Sequence, residues 1–391
     1  MEMKNLITCL TVSVLSSAAI ADTWTVDDDG VDFPQADFSD IQSAVDAAAF
    51  NGDEVLVYPG TYTSTSSDEV IAIPWGKNIW IHSVAGASVT TIDGENIKTG
   101  VSLPGGVLEG FTITNCSAGY GAGIKAFGGP VIKNCVVSGN YANDAAGGIY
   151  FGMKGFYIIT NTTIEGNSCG IAGGSFGHGA GVYIGDSSTV SFDGCLIQDN
   201  INTQQDGGGV YIAQSVTATF NDCVVRNNSA TVSGGGIYNA SAANTTLSTT
   251  TICGNIPNNI HGLWSDEGDV CVSDSCVDTD ANGIPDGCDG LPDGLYVPSE
   301  YATIQLAIDA AVNGDTIYVD AGTWTGSGSS VINTMGKAIT VESVLGAGVT
   351  IIDAEGVRRG VEILNGESDT TIIKGFTVIG GTASEGGGIF C

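Results

Sequence analysis

Five segments of this chain end on the same phrase: an aliphatic residue, two variable residues and an asparagine. They occupy 137–140, 164–167, 197–200, 225–228 and 252–255, and their asparagines (Asn140, Asn167, Asn200, Asn228, Asn255) advance by 27, 33, 28 and 27 residues. A glycine–aliphatic phrase keeps the same beat at Gly123-Ile124, Gly148-Ile149, Gly181-Val182, Gly209-Val210 and Gly236-Ile237. Eight places before each asparagine stand Ile132, Ile159, Phe192, Phe220 and Leu247; three places before stand Val137, Ile164, Ile197, Val225 and Ile252. Such columns are what stacked coils need, because each side chain then lies about 4.8 Å above its counterpart. A coil of this length holds three short strands with their turns, and parallel crossovers are right-handed. The expected fold is therefore all-β, a right-handed parallel β-helix solenoid; a β-sandwich of similar strands does not repeat residue class at fixed columns. The repeated asparagine suits a turn, since it tolerates left-handed angles and its amide can hydrogen-bond along a ladder. The Gly-Gly pairs are expected at tight or positive-φ corners that other residues resist.

A solenoid needs its open end covered. Segment 38–49 places Ile41, Val45, Ala48 and Ala49 on one helical face, with Ser39 or Asp40 to cap it and Asn51-Gly52 to end it. The same order returns at 303–325: the Asn51-Gly52-Asp53 turn recurs as Asn313-Gly314-Asp315, and Gly60-Thr61-Tyr62-Thr63 as Gly322-Thr323-Trp324-Thr325. A whole β-helix has been duplicated, N-terminal cap helix included. The second copy stops where its first glycine–aliphatic phrase arrives, Gly388-Ile389, which predicts a truncated copy in a part of a longer protein. The expected organisation is a signal peptide at 1–21, a first β-helix at 22–265, a Cys/Asp-rich linker at 266–294 and an incomplete second β-helix at 295–391.

Lys4, the apolar run 6–15 and Ala19-Ile20-Ala21 read as a signal for export, and no later segment is apolar enough to span a membrane. Export permits disulfides. Cys135, Cys195 and Cys223 alternate in one column with Thr162 and Thr250, which reads as a buried small residue; of these only Cys195 and Cys223 sit on neighbouring coils. The net charge of −32, with 11 Lys plus Arg, excludes a nucleic-acid role and disfavours polyanions unless a cation bridges them.

The cap helix, the Asn-Gly-Asp turn, the Gly-Thr-Tyr-Thr strand and the Gly-Gly-Ile coils resemble the right-handed β-helix, pectin-lyase-like superfamily. The pairing of glycine–aliphatic with x-x-Asn is similar to the repeats of polymorphic outer-membrane proteins, which usually place Phe where this chain has Ile or Val. The resemblance covers nearly the whole mature chain. It implies a fold shared by lyases, hydrolases, adhesins and phage spikes, not one activity.

Chemistry concentrates in few places. Asp278, Asp280, Asn282, the Ile284 carbonyl, Asp286 and Asp289 offer closely spaced oxygens around a glycine, as a hard cation such as Ca²⁺ requires. The run resembles the Asp-rich loops of thrombospondin type-3 and dockerin-like repeats, and a Cys276–Cys288 bridge would close it. Its expected role is structural, stiffening the joint; the alternative is a solvated acidic linker. Lyases of the resembling superfamily use an Arg or Lys base beside Ca²⁺, and Arg226 is the one arginine of the repeats. Pectinolytic hydrolases of that fold carry Gly-His-Gly, matched at Gly177-His178-Gly179 without its Asp-Asp and Arg-x-Lys companions. A half-apolar outward column (Val136, Thr163, Leu196, Val224, Thr251) is a candidate binding stripe. With no complete catalytic set, the expected function is binding or adhesion outside the cell or at its surface, to a polysaccharide or cell-surface glycan. Polysaccharide lyase or glycoside hydrolase, through Arg226 or His178, is the alternative.

Overall fold

The computed structural model describes residues 21–391 apart from 50–51, 65–67, 171–176, 186, 241, 278–284, 286–287, 289–293, 299–300 and 368. In the first unit, parallel strands stack into four sheets. The first runs from Thr23–Val26 to Ser265–Asp266 and the second from Gly60–Tyr62 to Cys271–Ser273. The third runs from Glu69–Ala72 to Ile260–His261 and the fourth from Ser117–Tyr120 to Ser229–Ala230. One coil comprises Phe156–Thr160, Thr163–Glu165, Ser168–Cys169 and Val182–Ile184, one strand in each sheet. Ile159 registers on Phe192, Phe220 and Leu247, and Ile164 on Ile197, Val225 and Ile252. All eight are buried, and the Phe192 and Phe220 rings stack at 4.7 Å. The expected right-handed parallel β-helix is the fold, and like side chains do lie over like.

A second core, with Ile304, Ile317, Val341, Ile352 and Val361 at its centre, is built on the strands that begin at Leu295–Val297. Each unit has a short helix. Helix α1 (Ile41–Ala47) is capped by the Asp40 carboxylate, which accepts from Ser43 N, and α2 (Ile304–Ala310) by the Thr303 side chain, which accepts from Leu306 N. The duplication extends to individual bonds. Gln42 Oε1 accepts from Ala72 N, as Gln305 Oε1 does from Asn333 N. Lys77 Nζ donates to Val45 O at 2.7 Å and Lys337 Nζ to Ile308 O at 2.6 Å, each placing a cation at the carbonyl end of its helix.

The ladder half of the asparagine expectation holds. Asn140, Asn167, Asn200, Asn228 and Asn255 are all buried, and each Nδ2 donates to Oδ1 of the next, ending on Asn259. The left-handed half is displaced by one residue. The positive φ values belong to Gly139, Gly166, Asp199, Asn227 and Gly254, immediately before the ladder residues.

The glycine expectation holds for both kinds of corner: Gly207 and Gly234 are at positive φ, and the glycine two places after each is not. Gly148, Gly181, Gly209 and Gly236 are not at positive φ; their role is close approach. A methyl on Gly181 would lie 2.6 Å from Gly209 O and 2.9 Å from Asn200 Nδ2. The third sheet rests directly on the asparagine ladder, and only glycine leaves room for it.

Cys135, Cys195 and Cys223 are buried free thiols. The disulfides join Cys253 to Cys276 and Cys271 to Cys288, replacing the expected Cys276–Cys288 bridge. The reason lies in register: Cys253 pairs with Ser273 on the last rung, so the chain just beyond that rung brings Cys276 back over Cys253. The calcium candidates Asp278, Asp280, Asn282, Ile284, Asp286 and Asp289 lie outside the described residues, as does nearly all of the segment expected to be a signal peptide. Among the described residues, no helix is long and apolar enough to cross a membrane.

Candidate functional site

In the third sheet the residue after each glycine–aliphatic pair points outward, because its neighbours Ile149 and Phe151, Val182 and Ile184, or Val210 and Ile212 point into the core. That outward column reads Lys125, Tyr150, Tyr183, Tyr211, Tyr238 and His261, held in register from coil to coil. From Tyr150 onward the rings stack nearly parallel, at 5.1, 5.4, 5.0 and 4.8 Å between centroids. Stacking occupies the faces of the inner rings, so the column turns ring edges and hydroxyl groups outward.

Five positions earlier in each coil a second column runs beside the first: Tyr120, Ala145, His178, Asp206 and Ser233. Backbone bonds keep its register, from Gly121 N to Ala145 O, Ala146 N to His178 O, Gly179 N to Asp206 O and Gly207 N to Ser233 O. His178 stacks over Tyr211 at 4.3 Å. Its Nδ1 and Asp206 Oδ1 are both buried without a hydrogen-bond partner. Burial pushes the His178 imidazole below its ordinary value, against the pull of Asp206, and pushes the Asp206 carboxyl upward. Burial, reinforced by Tyr183, Tyr238 and Asp206, raises the Tyr211 phenol to about 12. From Tyr150 to His261 this face therefore carries hydrogen-bonding groups with carboxylates at its margin, and Lys125 at one end lies with its Nζ 5.3 Å over the Tyr120 ring. A cavity of about 240 Å3 opens on it, lined by Tyr120, Asp144, Ala145, Tyr150, His178 and Tyr183. Another, of about 400 Å3, lies beside Tyr238, His261 and Leu263.

The two catalytic candidates are on different sheets. His178 belongs to the aromatic face. Arg226 is exposed on the second sheet, where its Nε donates to Gln198 Oε1 at 2.9 Å while Gln198 Nε2 donates to Glu165 Oε2 at 2.7 Å. Of the carboxylates in that row, Glu165 is the nearer to Arg226, two coils away, and among the described residues Arg226 forms no ion pair. The stripe Val136, Thr163, Leu196, Val224 and Thr251 does face outward, but every member is half-buried. The sequence reading passed over the tyrosine column, although its signal is present: Tyr follows the glycine–aliphatic pair in four successive coils. Near the N-terminus Asp27, Asp28 and Asp29 cluster, yet Asp27 accepts from the backbone of Asp29, Gly30 and Phe33 and so organises its own turn.

The family described as right handed beta helix region matches residues 77–252, somewhat under half of the chain. Among solved structures the chain is similar to pectate lyase Pel9A, at 13% identity over 90% of this chain and 80% of that one, with a TM-score of 0.42. It is also similar to the pectin methylesterase of Aspergillus niger, at 14% identity over 67% of this chain and 92% of that one, with a TM-score of 0.39. No curated protein matches it. From the rung pairing and the family match together, the chain is a right-handed parallel β-helix.

Proposed function

We propose that this is an exported protein, extracellular or on the cell surface, that binds polysaccharide along the third-sheet face. The observation carrying this reading is the stacked column from Tyr150 to His261. It repeats one kind of polar-edged group about every 5 Å, a spacing close to the advance of one sugar ring in an extended glycan. A repeating ligand is the natural partner of a repeating surface. The net charge of −32 favours uncharged glycans over polyuronates. Two disulfides agree with an oxidising destination. Asp278, Asp280, Asn282, Ile284, Asp286 and Asp289 complete the proposal as a structural calcium loop, supported by their alternating oxygen donors.

The test is retention of the purified mature chain on a panel of insoluble and arrayed glycans. Retention on at least one neutral polysaccharide, weakened by Tyr183→Ala and Tyr211→Ala, is expected; no retention on any glycan overturns the reading. β-elimination or hydrolysis on the same panel, abolished by Arg226→Ala or His178→Ala, would replace it with the enzyme reading.

A further inference from the structure

The two outward columns interlock by a simple rule. A ring in the second column of one coil leans over the first-column tyrosine of the next coil. Tyr120 meets Tyr150 at 5.0 Å, and His178 meets Tyr211 at 4.3 Å. By the same rule a ring at position 145 would lie over Tyr183, between Tyr120 and His178. Position 145 is alanine, and the cavity of about 240 Å3 is the space left there. Because neighbouring coils are about 4.8 Å apart, Tyr120 and His178 stand roughly 10 Å apart along the axis. One ring in van der Waals contact on both sides needs roughly 7–8 Å. The gap thus holds a single ring, and it is a place on this face where a ligand can meet aromatic rings that the ladder's own stacking does not fill.

We propose that the slot over Ala145 is a subsite for one uncharged pyranose ring of a glycan, an inference that rests on the polysaccharide reading and sharpens it. The ends of the slot, Tyr120 and His178, suit the C–H faces of a sugar. The exposed carboxylate of Asp144 suits its hydroxyl rim as acceptor of a charge-assisted hydrogen bond. That carboxylate, with Asp206 further along the second column, repels a uronate or an aromatic acid. Burial lowers the His178 imidazole and so disfavours its charged form, which leaves Lys125, whose Nζ lies 5.3 Å over the Tyr120 ring, as the cation set against these two carboxylates.

The experiment titrates the full mature chain by calorimetry with neutral oligosaccharides of the retained glycan, with an oligogalacturonate of equal length and with phenol. Ala145→Tyr supplies the missing ring from within. It should cost at least tenfold in neutral-oligosaccharide affinity while leaving the melting temperature at or above that of the parent. Should Ala145→Tyr fold poorly, Asp144→Ala alters an exposed rim group and should cost about fivefold on its own. Unchanged affinity in a folded Ala145→Tyr chain, or in Asp144→Ala, overturns the subsite while the wider glycan reading stands. Equal binding of the oligogalacturonate, or binding of phenol alone, also overturns it. Failure of the parent to bind any glycan is the separate result that removes the proposed function itself.

Discussion

Asn167 donates from Nδ2 to Oδ1 of Asn200 at 3.0 Å, and its backbone N–H reaches the same oxygen at 3.0 Å. Asn200 in turn donates from Nδ2 to Ile164 O and to Asn228 Oδ1, both at 2.9 Å. One buried amide therefore satisfies groups on the coils either side of its own and ties three successive coils together. Asn200→Ala should destabilise the first unit by about 3 kcal/mol, the range expected when buried donors and acceptors lose partners together. Asn200→Asp should cost more despite equal size, because it turns an oxygen toward two oxygens. Equilibrium urea unfolding of the variants decides this; equal stability of Asp and Asn would show that the ladder is not carrying the coil.

The glycine column makes a paired prediction. Gly181→Ala forces a methyl to 2.6 Å from Gly209 O, a backbone atom that cannot swing away, and should cost about 2 kcal/mol. Gly348 has open space where its Cβ would sit and is not at positive φ, so Gly348→Ala should be neutral or stabilising by about 0.5 kcal/mol. Melting temperatures of the two variants should move in opposite directions or, at least, only the first should fall.

Asp206 and His178 give the aromatic face a signature in pH. Burial raises the Asp206 carboxyl above 3.8, so the folded chain holds that proton more tightly than the unfolded one. The associated stability is complete below pH 3.8 and is lost as pH rises through the folded value. Asp206→Asn should therefore raise the melting temperature at neutral pH and change nothing once the carboxyl is protonated in both states. His178 is shifted the other way: the unfolded chain takes up a proton below pH 6.5 before the folded chain does, so stability falls as pH drops from 6.5. His178→Gln should flatten that acid limb. Thermal melts across the acid-to-neutral range on the parent and both variants check the two signs.

For the linker, calcium at a hundredfold excess over its Kd should add about 2.7 kcal/mol to the cooperative unit that includes the site. Chelator should reverse the gain, and Asp280→Ala should remove it. Absence of both heat uptake and a melting shift on titrating the mature chain with calcium would leave an acidic linker in place of a metal loop.

What the sequence shows well is whatever repeats by identity along the axis. Asn140 to Asn255 recur unbroken, and that recurrence alone makes both the coil and the ladder legible in the linear chain. Other features depend on which residues meet across coils. The left-handed angle falls on Gly166 or Asn227, whose identities vary, so the invariant asparagine drew the assignment one place too far. Cys276 finds Cys253 through the return path after the last rung, whereas sequence distance favours Cys288. The slot over Ala145 is hidden for the same reason. An alanine at the end of a strand carries no signal of its own; the slot exists because Tyr120 and His178 lean over the tyrosines of the coils that follow them.

Tyr211 separates a ladder that binds from a ladder that merely holds coils together. It is stacked between Tyr183 and Tyr238 and overlain by His178, so deleting its ring removes three aromatic contacts. Tyr211→Ala should therefore destabilise the first unit by about 2 kcal/mol whichever role the column plays. Tyr211→Phe keeps every ring contact and removes only the outward hydroxyl, so its melting temperature should match that of the parent. If the hydroxyl row meets glycan, retention of Tyr211→Phe on the neutral polysaccharide should nonetheless fall several-fold, since a hydrogen bond at the surface contributes about 1 kcal/mol. Parental retention by Tyr211→Phe, alongside weakened stability of Tyr211→Ala, would mean that the stack serves the solenoid alone, and binding would then have to be sought in the cavities at Ala145 and His261.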